Sequence, residues 1–312
     1  MSTIPKIGIS SCLMGHSVRF DGGHKKNRLI TDVLVNHMDV QTVCPEIGIG
    51  LGVPRQTIRL QDIDGETRLV ASKDSQQDYT DSMSQYADSV TQQYSQLDGF
   101  IFKKGSPTCG AFRVPVVVHK DGHRRYDGSG LFAKIFMEKF PWIPVEEEGR
   151  LNDSDLQQNF IERVYALNRW HAIPNPDHNL AAFIEFHATH KLMLMARNHA
   201  EYRYLGRWVA ETNYQNLKDR RQGYIEHFML VMRNNVTKGR HVNVLMHIMG
   251  YLKNKLSKAD KMELLNSFES YRNSYLPLSA ILLLLKHHLR KYPVPYINKQ
   301  NYLEPFPQEI TI

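Results

Sequence analysis

The chain contains three cysteines, and all three stand among small or turn-forming residues. Cys12 lies in Ser10-Ser11-Cys12-Leu13-Met14-Gly15, Cys44 opens Cys44-Pro45-Glu46-Ile47-Gly48, and Cys109 closes Gly105-Ser106-Pro107-Thr108-Cys109-Gly110. Their wide spacing contains no Cys-x-x-Cys pair, so neither a zinc ribbon nor a thioredoxin motif is present. One isolated thiol is ordinary packing material. Three thiolates converging on one point suit a metal centre. Zinc in a structural site takes four protein ligands, and His16 or His24 would have to supply the fourth. An iron–sulfur cubane held by three cysteines would keep one iron open. An open iron is a Lewis acid, and a sulfur-containing substrate would suit so soft a site.

Other polar residues crowd the same segments. Glu46 follows Cys44-Pro45, where Pro45 is expected to keep the loop from continuing into a helix. A carboxylate beside a metal centre can move protons on a substrate nitrogen or on water; its bland role is to accept backbone N–H bonds. Ser106 stands three residues before Cys109, within reach of substrate, and its bland role is a turn residue ahead of Pro107. In Val18-Arg19-Phe20-Asp21-Gly22-Gly23, Arg19 could hold a phosphate or a pyrimidine edge and Phe20 could stack on a base. Arg19 and Asp21 equally suit an internal ion pair. Lys103 and Lys104 could meet an RNA backbone at the mouth of such a site.

The elements that would position these groups alternate in type. Strands are expected over 4–10, 40–44, 100–103 and 114–119, with helices over 28–38, 78–97 and 130–140. A hairpin is expected over 57–71 around the turn dipeptide Asp64-Gly65. This alternation implies an α/β fold with a mostly parallel sheet. All three cysteines fall at strand-to-loop exits, where such sheets collect ligand groups. The prolines and the Glu146-Glu147-Glu148 run over 141–153 read as a domain boundary. That gives a first domain over 1–150, a linker helix and Pro-rich break over 151–179, and an all-α domain over 180–312. Breaks in the second domain are expected near 235–239, 255–258 and 274–277, and the tail over 293–307 is expected to pack as an extended strap.

With 312 residues, 42% hydrophobic and 23% charged, the chain is neither disordered, collagenous nor a disulfide scaffold. Its longest apolar run, 280–285, falls far short of the ~20 residues of a membrane span. Pro5 and Lys6 interrupt the opening segment, so no membrane association and a cytoplasmic location are expected. Residues 1–150 carry 18 Lys+Arg against 18 Asp+Glu, whereas 151–312 carry 21 against 14, the whole net charge of +7. A neutral half joined to a basic half suggests chemistry in one and a polyanion on the other. Arg220, Arg221 and Arg240, interleaved with tyrosines, are the candidate RNA contacts, with general solubility as the plain alternative. His187 and His190, at i and i+3 without a nearby acidic partner, read as packing or RNA-facing residues before a metal pair.

Taken together, Ser11-Cys12-Leu13-Met14-Gly15, Val18-Arg19-Phe20-Asp21-Gly22-Gly23, Cys44-Pro45-Glu46 and Gly105-Ser106-Pro107-Thr108-Cys109-Gly110 resemble the thiouracil desulfurase (TudS) family in order and spacing. Met14 departs from the Leu common there, a volume-conserving change. The resemblance implies a Rossmann-like three-layer domain holding a [4Fe-4S] cluster on Cys12, Cys44 and Cys109, with Glu46 and Ser106 as the catalytic pair. Residues 186–193, Tyr204-Leu205-Gly206, Val294-Pro295-Tyr296, Gln300, Tyr302-Leu303 and Pro305-Phe306-Pro307 resemble a YbgA-like helical domain. The fused form is similar to desulfidases that convert 4-thiouridine in tRNA to uridine, which implies tRNA as partner and substrate. Two alternatives stand beside it: a desulfurase of free thiouracil or thiouridine, and a non-enzymatic iron–sulfur or zinc sensor that binds nucleic acid.

Overall fold

A computed structural model describes residues 4–118 and 122–310. Strands β1 (Lys6–Ser10), β2 (Asp39–Val43), β5 (Gly99–Phe102) and β8 (Val145–Glu147) form one sheet in the order β2-β1-β5-β8. Every pairing in it is parallel. The chain runs to one side of β1 and then to the other, so a crevice opens at the carboxyl ends of β1 and β5. Strands β3 (Ile58–Ile63), β4 (Glu66–Ala71), β6 (Val114–Val118) and β7 (Arg124–Gly128) form a second, mixed sheet in the order β4-β3-β6-β7. The expected hairpin is β3 and β4, antiparallel and in full register. Asp64 and Gly65 both have positive φ at its tip, the backbone a tight two-residue hairpin requires. The last residue of the expected strand 114–119, His119, lies outside the described residues.

Helices α1 (Pro45–Gly48), α2 (Thr80–Tyr94), α3 (Leu131–Lys139) and α4 (Ser154–His171) complete the first unit. The parallel sheet is covered on both faces. Phe100 and Phe102 stack at 4.0 Å on one face of β5, and Phe132 and Phe136 of α3 meet them edge-on. Gly8 makes room for this cluster, because a Cβ there would lie 2.4 Å from the Phe100 ring. On the other face a Cβ on Gly99 would lie 2.7 Å from Val164 of α4, so α4 packs directly on the sheet. The architecture is the expected three-layer α/β domain.

Three local expectations are corrected. Residues 28–38 form irregular helical turns, Leu29–Val33 and Leu34–Asn36, instead of a regular α-helix. The apolar period is nonetheless real, since Ile30, Leu34 and Met38 are buried; the β-branched Ile30, Thr31, Val33 and Val35 disfavour a regular α backbone. Pro45 does not stop a helix; it starts one, at the first position of α1, where its missing N–H costs nothing. Residues 141–153 are not a boundary. Val145–Glu147 is the fourth parallel strand, and Asp153 caps α4 by accepting from the N–H groups of Asp155 and Leu156. The chain divides instead into Met1–Ala172 with Glu309–Ile312, and Ile173–Gln308.

The second unit is all-helical: α5 (Leu180–Arg197), α6 (His199–Ala210), α7 (Leu217–Met232), α8 (Lys238–Leu252), α9 (Lys258–Arg272), α10 (Leu278–Lys291) and the single turn α11 (Pro295–Asn298). The three expected breaks are present, with Thr237 and Ser257 capping α8 and α9, and two further ones fall at Asn198 and over 211–216. The tail is partly helical, and the Gln300 side chain ties it to α5 by donating to the Ala188 carbonyl and accepting from the Leu192 N–H. Among the described residues no helix is long and apolar enough to cross a membrane.

Candidate active site at the strand ends

Cys12 follows β1 directly, Cys44 follows β2, and Cys109 lies in the loop after β5. All three line a single cavity of about 310 Å³ at the carboxyl ends of these strands. Glu46, Arg55, Ser106 and Thr108 line the same cavity, as do Arg19, Phe20, Lys25, Lys103 and Lys104. Asp21, His16 and His24 do not. Asp21 is exposed beside Arg19, 3.5 Å away, and the Gly23 N–H holds its carboxyl below the usual range. Arg19 also lies over the Phe20 ring. The ion-pair role and the cavity role of Arg19 therefore coexist.

Burial raises every thiol of the trio. It pushes Cys12 up to about 11 against the pull of Lys103, with the neighbouring Cys44 adding to the rise. Cys44 and Cys109 are also pushed up by burial, and Glu46 adds to both. Around neutral pH such thiols keep their protons until a cation displaces them. Among the described residues the three sulfurs do not fall within 4.8 Å of one another as a group. A single tetrahedral zinc with Zn–S bonds of about 2.3 Å needs sulfurs roughly 3.8 Å apart. The trio is spread too widely for one zinc ion, and no histidine lines the cavity as a fourth ligand. The donor set fits a larger, polynuclear thiolate-bound group.

Glu46 and Ser106 are joined through a residue that the sequence reading passed over. Thr108 Oγ1 donates to Glu46 Oε1 at 2.9 Å and lies 3.0 Å from Ser106 Oγ. Because the only hydroxyl proton of Thr108 goes to Glu46, Ser106 is the donor to Thr108 in this arrangement. Ser106 Oγ also accepts from the N–H groups of Thr108 and Cys109. The other oxygen of Glu46 is held by the Arg55 guanidinium, through Nε at 2.9 Å and through Nη2. Arg55 is anchored in turn on the Val18 and Gly52 carbonyls. Glu46 thus has one oxygen fixed by a cation and the other at the end of a hydroxyl chain.

The acidic run that reads as a linker holds the Cys109 loop at both ends. Glu148 pairs with Lys103 at 2.5 Å and accepts from the Lys104 N–H at 2.7 Å. Glu147 accepts from the Ala111 and Phe112 N–H groups at 2.9 and 3.1 Å, although burial raises its carboxyl. Between these clamps the loop packs so tightly on the start of α3 that a Cβ on Gly130 would lie 2.5 Å from the Thr108 backbone. Thr108 had one signal in the sequence, a hydroxyl next to a candidate ligand. Arg55 and Glu148 had none, because only the fold brings them to the loop.

The helical-domain candidates have internal partners. Arg220 donates to Thr212 Oγ1 and the Trp208 carbonyl, pairs with Glu211 at 3.2 Å, and stacks over the Trp208 ring. Arg221 pairs with Asp177 at 3.4 Å, and burial lowers its pKa. Arg240 donates to the Arg197 carbonyl at the end of α5 at 2.6 Å. Each of the three candidate RNA contacts is thus anchored at a helix end or on a neighbouring side chain. His187 and His190 are buried packing residues; His187 Nδ1 lies 2.9 Å from the Tyr224 hydroxyl.

Comparison with known proteins settles the lineage. Residues 7–148 match the 2-thiouracil desulfurase family and residues 191–307 match DUF1722, a domain family of unknown function. The protein YbgA of Escherichia coli (strain K12) is 30% identical over 163 residues, covering 52% of this chain and 96% of its own. The chain belongs to the YbgA family. Its amino-terminal part is a 2-thiouracil desulfurase domain, so within this family the chain is an enzyme of the desulfurase class joined to a DUF1722 domain. A solved structure titled as a [4Fe-4S]-dependent thiouracil desulfidase, TudS, is 25% identical, with a TM-score of 0.40 over 49% of this chain and 97% of that one.

Proposed function

We propose that this protein removes the sulfur of 4-thiouridine in tRNA by hydrolysis, giving uridine and sulfide, with a [4Fe-4S] cluster held by Cys12, Cys44 and Cys109. The observation that carries the proposal is the convergence of three wide-set thiols and the Ser106–Thr108–Glu46 chain on one cavity. When bound, the cluster would supply an open, sulfur-loving Lewis acid for the thiocarbonyl. The balance is non-redox: water contributes oxygen to C4, the C–S bond breaks, and sulfur leaves as sulfide. Glu46 Oε1 keeps room for a second hydrogen bond beside that of Thr108, so it can take a proton from the attacking water. The hydroxyls of Thr108 and Ser106 lead away from Glu46 along the cavity wall and can return a proton to the departing group. Arg55 restrains the carboxylate so that it need not reorganise during transfer. Arg19, Lys25, Lys103 and Lys104 line the same opening, where a flipped-out nucleotide would bring its phosphates.

A second reading, free thiouracil or thiouridine, is favoured by the cavity volume of about 310 Å³, which suits a single base. Sulfide release from thiolated tRNA and from the free nucleoside, measured across a salt series, separates the two. Phosphate contacts release counterions, so the apparent KM for tRNA should rise steeply with salt while that for the nucleoside stays flat. Release from the nucleoside alone would overturn the tRNA reading. Anaerobically purified protein that is colourless and contains zinc in place of iron and sulfide would overturn both and leave the sensor.

A further inference from the structure

We propose a second metal site, for a divalent transition ion of the zinc type, in the helical domain, formed by Asp260 and Glu263 of α9 and His288 of α10. It is independent of the cysteine cavity, lying in the other unit of the chain. Each of the three residues offers one ligand atom within 4.8 Å of the other two. Asp260 and Glu263 are three residues apart, on one face of α9, and His288 belongs to the helix that follows in the chain. The capping box at the start of α9 fixes Asp260: its Oδ2 accepts from the Ser257 N–H at 3.2 Å, and its own N–H donates to Ser257 Oγ at 3.1 Å. The carboxylate is therefore held in place before any ligand arrives, with one oxygen outside the box.

His288 supplies the independent observation. The residue is 5% exposed, and neither ring nitrogen has a hydrogen-bond partner. A buried imidazole without partners is costly, because both its N–H and its lone pair have left water. Here one ring nitrogen lies within 4.8 Å of an oxygen of each carboxylate, yet neither nitrogen is hydrogen-bonded, as a site that gathers its ligands around a cation would be. Two carboxylates and an imidazole suit zinc, with an open fourth position, better than magnesium, which demands six oxygens. Lys291 and His288 both bear electrostatically on Asp260. Lys291 opposes a bound cation, so moderate affinity is expected. The ion would bridge α9 and α10.

The test uses the full-length, cluster-loaded protein dialysed against micromolar Zn²⁺, with zinc and iron counted by elemental analysis. Wild type should retain one zinc equivalent that Glu263→Ala and His288→Asn lose, each with at least tenfold weaker affinity and unchanged iron content. Zinc should also raise the Tm of wild type but not of either variant, and Mg²⁺ should do neither. Glu263 is exposed, so its variant remains informative if His288→Asn fails to fold. Zinc affinity in Glu263→Ala within twofold of wild type, or no retained zinc in wild type, would overturn the proposal.

Discussion

Thr108→Val tests the proposed proton path at its least conspicuous member. Thr108 is fully buried, and Val preserves its branching while deleting the hydroxyl that links Ser106 to Glu46. The bond to Glu46 Oε1 is charge-assisted, a class worth about 1.5–3 kcal/mol. If that stabilisation is realised in the transition state, turnover should fall by roughly 10- to 150-fold, at 1.36 kcal/mol per decade. The three thiols are untouched, so iron and sulfide content should stay at the wild-type value. The assay is sulfide release per cluster under anaerobic conditions, which separates slow chemistry from poor loading. A double-mutant cycle with Glu46→Gln sharpens it. Glu46→Gln should cost roughly 10²–10⁴-fold, as lost acid–base groups do. If Thr108 acts only through Glu46, the double variant should be little worse than Glu46→Gln alone. Turnover per cluster within twofold of wild type in Thr108→Val, or full additivity in the cycle, would refute the path.

Other substitutions probe the remaining assignments. Cys12→Ala, Cys44→Ala and Cys109→Ala should each lose the cluster together with sulfide release; full iron content and turnover in any one of them would remove that residue from the ligand set. Arg220→Glu breaks the bonds to Thr212 and Trp208 and sets a second acid beside Glu211, so thermal denaturation should show a loss of about 2 kcal/mol or more. Unchanged stability with weakened tRNA binding would instead mark Arg220 as an RNA contact. Burial lowers the His187 pKa to about 4 from an unfolded value near 6.5, so between these pH values the unfolded chain binds the extra proton. Stability from this group is therefore complete above about pH 6.5 and falls as pH drops toward 4, by up to about 3 kcal/mol. Denaturant midpoints measured at pH 7 and 4.5 should converge in His187→Gln more than in wild type; an identical acid loss in both would exclude His187 as its source.

Residue types and spacing alone singled out the candidate site residues and the alternating segments. Cysteines flanked by Gly, Pro and Ser at the ends of apolar runs announce strand exits, because a parallel strand must be apolar on both faces while its following loop must turn. Three helix breaks of the second domain are legible for the same local reason, with Thr237 and Ser257 marking the starts of α8 and α9. Pro45 is ambiguous in sequence because one residue type both breaks and begins helices, and its neighbours do not say which. Tertiary structure alone decided the partners. Arg55 reaches Glu46 across nine residues, and Glu147 and Glu148 reach the Cys109 loop from more than thirty residues away. The Glu147 and Glu148 contacts follow from β8 lying beside β5, a pairing that no local pattern encodes. The acidic run reads as solvated linker in sequence because charge normally seeks water; here two of its carboxylates are buried because backbone N–H groups and an arginine replace that water. The same logic holds for Arg220, Arg221 and Arg240. Composition counts their charges, but only packing shows which helix carbonyls and acidic neighbours they meet.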